Sequence, residues 1–274
     1  MTEGVAHAPV ALAAVGTVFF TVLFGRALFG VRVGVVAGLV LATSWGFVRH
    51  SQLFLPDMLV LCFATAAGPA LWRARAAPEA RVPLVAFWAA IGLAVFAKGP
   101  IGLLPVLAGA VWLWWWRGRR EIRRLLSPLG LAAFTAITAV WLVPFLLLGG
   151  KSFGATVLWE DWLTWFFGVP RPLGMINLVI DALKGFLPWT PLLLLALPRI
   201  RQGWGDPAVA FAALWSAIPL GIMMLAANPM ERYSLTFFPG AAVLTAWWLE
   251  RHGATVTRAG RAVAVAGLAA GLAA

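Results

Sequence analysis

The charged residues of this chain fall in clusters separated by long uncharged runs, and that spacing limits the fold more than any motif does. Runs without a charge occupy 4–25, 33–48, 58–72, 82–97, 99–116, 125–150, 185–198, 207–230 and 233–249. A helix needs about 20 apolar residues to cross the hydrocarbon core, with a working range of roughly 17–25. Most of the runs qualify, and polar flanks extend the shorter ones. The runs lack the polar alternation of a transmembrane barrel, so helices follow. Only 11% of residues are charged and 62% are hydrophobic, against about 25% charged in a soluble domain. The expectation is an all-α, polytopic transmembrane bundle forming a single domain over 1–274. Spans are expected at roughly 8–28, 33–49, 57–72, 82–98, 100–116, 127–148, 177–198, 207–227 and 233–249, with a tenth starting near 261.

The net charge of +11 would suggest nucleic acid in a soluble protein. Its distribution gives another answer. Numbering the connections alternately puts fifteen arginines on one side: Arg26, Arg32, Arg73, Arg75, Arg81, Arg117, Arg119, Arg120, Arg123, Arg124, Arg199, Arg201, Arg251, Arg258 and Arg261. The other side has six cations, Arg49, Lys98, Lys151, Arg171, Lys184 and Arg232, balanced by six acids, Glu3, Asp57, Glu160, Asp161, Asp181 and Glu231. By the positive-inside rule the arginine side is cytoplasmic and the amino terminus lies outside a cell membrane. Nucleic acid is not an expected partner; membrane lipids are. A long outer connection, about 149–176, carries Glu160-Asp161 within an aromatic stretch, Trp159 to Phe167, which reads as an interfacial amphipathic helix. Gly30, Gly34 and Gly38 form a small-residue ladder of the kind that lets helices approach closely.

Candidate chemistry gathers on the neutral, mixed side. Asp57 stands where an outer loop enters the third span, as a cavity carboxylate or as an acid favourable to the helix dipole. Lys98 ends the fourth span at Lys98-Gly99-Pro100. There it can hold a phosphate as a point charge or snorkel to the interface. Glu160, Asp161, Arg171 and Lys184 surround the aromatic outer segment, and Glu231-Arg232-Tyr233 opens the ninth span. These could grip a sugar or a phosphate, or be simply solvated. Cys62 is the only cysteine, and His7, His50 and His252 lack metal-site spacing. No metal or other cofactor is expected. Gly150-Lys151-Ser152 imitates the end of a phosphate-binding loop, but Phe145 occupies the first glycine's position.

Four stretches carry a family resemblance: Gly25-Arg26-Ala27-Leu28-Phe29-Gly30, Gln52-Leu53-Phe54-Leu55-Pro56-Asp57, Ala97-Lys98-Gly99-Pro100-Ile101-Gly102-Leu103-Leu104-Pro105, and Arg232-Tyr233-Ser234-Leu235-Thr236-Phe237-Phe238-Pro239-Gly240. Together they resemble the polyprenyl-phosphate-dependent glycosyltransferases of the GT-C fold, which include the aminoarabinose transferases of lipid A and the protein-mannosyltransferase-like enzymes. The Lys-Gly-Pro turn is the most specific part. The resemblance implies a GT-C bundle that moves a sugar from a polyprenyl-phosphate carrier to a lipid or protein acceptor on the outer face. It implies that Lys98 holds the carrier phosphate and that Asp57 lines the cavity as an acid distinct from the base.

The chain departs from the family in lacking, before residues 8–30, the first helix and the acidic loop that carries the catalytic carboxylate. It also has Trp162 where the family often has a histidine. The expectation is a chain truncated at both ends, inactive in transfer as it stands. A transporter or lipid-flipping protein and a noncatalytic assembly subunit are the competing classes.

Overall fold

The computed structural model describes residues 3–76, 81–148, 172–227 and 229–252, and among these every regular element is helical. In chain order they are α1 (Glu3–Phe29), α2 (Val31–Ala42), α3 (Trp45–Ser51), α4 (Asp57–Ala76), α5 (Arg81–Lys98), a 3₁₀ turn (Gly99–Leu103), α6 (Leu104–Arg117), α7 (Arg119–Leu125) and α8 (Pro128–Leu148). After the undescribed 149–171 come α9 (Pro172–Gly185), α10 (Thr190–Gln202), a short turn (Gly203–Gly205), α11 (Pro207–Met224), a second 3₁₀ segment (Glu231–Phe237) and α12 (Phe238–His252). Four stretches are long and apolar enough to cross a membrane: His7–Phe29, Arg81–Arg117, Pro128–Leu148 and Pro207–Met224. Two bent helix pairs raise that number to six if each is one span. The protein is a multi-pass membrane protein.

Lipid leaves backbone and hydroxyl groups no water to bond, so each must be satisfied inside the bundle. Thr17, Thr21, Thr65, Ser216 and Thr245 accordingly donate to carbonyls four residues back in their own helices. Close helix approach follows the glycines. Gly30 (φ 99°) makes the turn between α1 and α2. Behind it, a Cβ on Gly34 would sit 2.5 Å from the Val22 carbonyl oxygen, and one on Gly38 2.5 Å from a Val22 methyl. The expected ladder is thus one turn glycine and two packing glycines, with Gly25 of α1 facing Gly34. Deeper in, Phe24, Trp72, Trp112, Phe211 and Trp215 join α1, α4, α6 and α11 through ring centroids 4.7–5.8 Å apart. In α12 every residue from Phe238 to Trp248 is buried, as expected of a helix apolar on all sides.

Side-chain contacts sort the charges to two ends of the bundle. Lys98 reaches Asp57 at one end, while Trp88, ten residues earlier in α5, bonds the Leu125 carbonyl towards the other. Stretch 81–117 therefore runs across and back. Arg49–Glu231 shares the Asp57 end, and Arg32–Glu250 and Arg124–Glu121 lie opposite.

The expected spans 57–72 and 233–249 are not among the stretches long and apolar enough to cross, and two others are bent. The run 33–49 is α2 and α3 with a 65° bend between them; at the break the Trp45 amide leaves the helical ladder and donates to the Leu187 carbonyl at 2.8 Å. The run 177–198 is not one crossing. Helix α9 makes an angle of 109° with the segment that follows it and packs on α3 and on the second 3₁₀ segment at the Asp57 end. Its buried residues Leu178, Ala182 and Gly185 form a single stripe, so it is an amphipathic helix lying across that end. The interfacial helix expected around 159–167 and the tenth span near 261 lie outside the described residues.

Replacing Gly34 with Leu forces a side chain into the Val22 backbone and should cost about 1–3 kcal/mol or more. Gly221 lies within α11 and meets nothing within 4 Å, so Gly221→Ala should be neutral or mildly stabilising. Thermal unfolding in detergent separates the two.

Candidate functional site

Three chain segments converge at one end of the bundle. Helix α4 starts at Asp57 immediately after Pro56, which places the carboxylate on its first turn. Helix α5 ends at Lys98, where Gly99 takes φ 74° and begins the 3₁₀ turn, followed by Pro100. That turn lies tight against α5, since a Cβ on Gly102 would fall 2.4 Å from the Val95 nitrogen. The lysine side chain is thereby aimed at α4. Arg232 and Tyr233 come from the 3₁₀ segment that precedes α12.

Lys98 Nζ lies 2.5 Å from Asp57 Oδ1, and Arg232 Nε lies 3.7 Å from Asp57 Oδ2. The Oδ2 atom and the Arg232 Nε are both buried without a hydrogen-bond partner among the described residues. Tyr233 forms the wall behind the cations, its ring centroid 5.1 Å from Lys98 Nζ and 5.6 Å from Arg232 Cζ. One carboxylate between two cations leaves a net positive charge. Asp57 thus faces side-chain cations rather than serving the helix dipole alone. Lys98 does not snorkel: its side chain is 19% exposed.

A narrow cleft of about 30 Å³ runs inward from Asp57 between Val60, Leu61, Ile101, Leu104 and Trp215, room for one or two water-sized groups. Its hydroxyls are committed, Thr65 to the Leu61 carbonyl and Thr236 to the Tyr233 carbonyl. The charged groups at the mouth of this cleft are therefore the triad of Asp57, Lys98 and Arg232. No group of three metal-ligating side chains occurs among the described residues.

Of the candidates read from the sequence, Asp57, Lys98, Arg232 and Tyr233 come together. Lys184 does not join them: it is exposed on α9, where its charge, with those of Glu231 and Arg49, acts on Asp181. Glu160, Asp161 and Arg171 lie outside the described residues. Sequence reasoning missed Arg49, which pairs with Glu231 at 2.5 Å beside Arg232 and stands over the Trp45 ring at 5.1 Å. Only its placement on the mixed side pointed to it, because its partner is 182 residues away.

With this geometry fixed, comparison with known proteins is informative. Residues 2–144, which include Asp57 and Lys98, match the dolichyl-phosphate-mannose-protein mannosyltransferase family. The chain belongs to this family. Among curated relatives, an undecaprenyl phosphate-α-4-amino-4-deoxy-L-arabinose arabinosyl transferase of Erwinia tasmaniensis is 28% identical over 212 residues, covering 74% of this chain and 37% of the relative. One of the same description from Pseudomonas paraeruginosa is 27% identical, covering 77% and 44%. ArnT from Cupriavidus metallidurans bound to undecaprenyl phosphate superposes with a TM-score of 0.81 at 21% identity, over 92% of this chain and 47% of that one. Its apo state gives 0.69 at 23% identity, over 89% and 45%. The fold is that of the GT-C membrane glycosyltransferases, and the chain spans less than half the length of these relatives.

The family match leaves the energetics of the triad to be measured. A double-mutant cycle on Asp57→Asn and Lys98→Met, read by thermal unfolding in detergent, should give a coupling of about 1–3 kcal/mol. Asp57→Asn should be the worse single change, because it leaves Lys98 and Arg232 without their carboxylate, whereas Lys98→Met leaves the Asp57–Arg232 pair.

Proposed function

We propose that this chain is the membrane part of a glycosyltransferase that uses a polyprenyl-phosphate-linked sugar, and that Lys98 and Arg232 hold the carrier phosphate. The observation that carries the reading is the convergence of two cations on one carboxylate at a single end of a GT-C bundle. In transfer from a polyprenyl phosphate the leaving group is the phosphate itself, so the protein's first task is to stabilise its growing negative charge with fixed cations. Two preplaced cations do that without reorganising solvent. Asp57 keeps both in position until the phosphate arrives and then gives up part of its hold on them. Tyr233 walls the cations on the bundle side.

Asp57 is a cavity acid in this reading and not the general base. Attack by an acceptor hydroxyl or amine needs a carboxylate on the other side of the sugar. The Asp57 end faces outward, consistent with its neutral balance of charge against the arginine-rich opposite end. The finer assignment is a pentose donor, 4-amino-4-deoxy-arabinose, moved to a lipid acceptor; the two curated relatives named for that donor support it. Amphipathic α9 lies across the same end, where a lipid acceptor would approach from the leaflet. A transporter would carry its substrate charges near the bilayer midplane, whereas this triad sits at helix ends.

Binding of undecaprenyl phosphate to the purified chain tests the proposal. Lys98→Ala should weaken it by about ten-fold or more, roughly the 1.5–3 kcal/mol of a charge-assisted contact. Arg232→Gln should weaken it less, and Lys98→Arg should retain part of it. Unaltered affinity in Lys98→Ala would sink the assignment.

A further inference from the structure

The end of the bundle opposite Asp57 carries a second cleft, between α5, α6 and α7, of about 460 Å³. Val106, Ala110 and Trp114 of α6 and Ile122 of α7 give it apolar walls, and Arg119 and Arg123 stand at its mouth. The Trp88 indole closes the floor by donating to the Leu125 carbonyl at 2.6 Å. From Val106 to Trp114 the α6 wall rises eight residues, about 12 Å, close to the roughly 15 Å of hydrocarbon in one leaflet.

The two arginines are four residues apart and share a face of α7. Neighbouring Arg124 is neutralised by Glu121 at 3.0 Å, whereas neither Arg119 nor Arg123 has an ion pair among the described residues. Segment 117–124 carries five arginines against the single Glu121, so the mouth is strongly positive. Trp114 is 49% exposed beside it, in the place that indoles take at headgroup depth.

We infer that this cleft binds an anionic phospholipid, with an acyl chain along α6 and the phosphate between Arg119 and Arg123. A zwitterionic lipid matches the apolar wall but not the charge. A free phosphate matches the charge and leaves the wall unfilled. The inference is independent of the carrier site, which lies at the other end of the bundle.

Titrating the purified chain in neutral detergent with phosphatidylglycerol bearing brominated acyl chains, and following tryptophan fluorescence, tests it. Saturable quenching is expected, about ten-fold tighter than with brominated phosphatidylcholine, since arginines near a lipid surface favour anionic headgroups. Arg119→Gln with Arg123→Gln should erase that preference, and Trp114→Phe should remove much of the quenched amplitude. Ala110→Phe, which fills the cleft, should weaken phosphatidylglycerol binding while both arginines remain. Equal binding of the two lipids, or an unchanged preference in the double arginine variant, overturns the inference. Full displacement by inorganic phosphate, with Ala110→Phe without effect, reduces the site to a bare phosphate site and also overturns it.

Discussion

The Asp57 carboxylate, shared between Lys98 and Arg232, is the contact on which the functional end of this protein depends. It ties the start of α4, the end of α5 and the segment before α12 to one point, and these segments lie far apart in the chain. In the low dielectric near a membrane such charges are stable only when they face one another. The same pairing that makes them tolerable holds two cations beside a cleft that Asp57 and Arg232 line. Packing and preorganisation for an anion are here one arrangement.

Holding three segments in register requires the helices beneath them to approach closely and rigidly. Gly34 and Gly38 let α2 lie on α1, Gly102 lets the 3₁₀ turn lie on α5, and Gly240 lets α12 lie on α11 near Ser216. Without a hydrophobic driving force between helices in lipid, such contacts and satisfied polar groups supply much of the specificity. The Gly46–Gly185 approach, where an added Cβ would meet the facing Cα at 2.8 Å, likewise seats α9 on α3. The Asp57 end is therefore roofed by an amphipathic helix rather than open.

Most of this architecture was legible because lipid imposes a length and charge rule that can be counted along the chain. Runs free of charge marked the helices, and the side assigned to each cation agreed with the contacts of Lys98, Arg49 and Arg232 at one end and of Arg32 and Arg124 at the other. Direction was not legible. The stretch 177–198 is apolar enough to enter a membrane whether it crosses or lies flat, and only the turn at residues 186–189, where the Leu187 carbonyl accepts from the Trp45 amide, decides. The break between α2 and α3 falls where the Trp45 amide takes the same Leu187 carbonyl, a partner far along the chain. In the site, Asp57 and Lys98 stood out as charges at span ends. Their partnership did not, because position along a chain carries no distance between helices.

The two ends of the bundle pose different electrostatic problems and solve them differently. At the arginine-rich end, positive charge outnumbers acid so strongly that most guanidiniums must be neutralised by something other than this chain, or stay in water. Arg75 turns instead to an aromatic face, 3.8 Å from the Trp72 ring centroid. At the other end the charges are nearly balanced, and three of the described cations have an acid within reach: Lys98 and Arg232 share Asp57, and Arg49 has Glu231. A balanced cluster with one cation in excess over the carboxylate it surrounds suits transient anion binding. In the proposed reading a bound phosphate would gain two cations while the displaced carboxylate keeps part of its stabilisation, so neither state would leave a charge stranded. A site with cations alone would hold its product too tightly. On that proposal, the acid at Asp57 would let the phosphate leave as well as arrive.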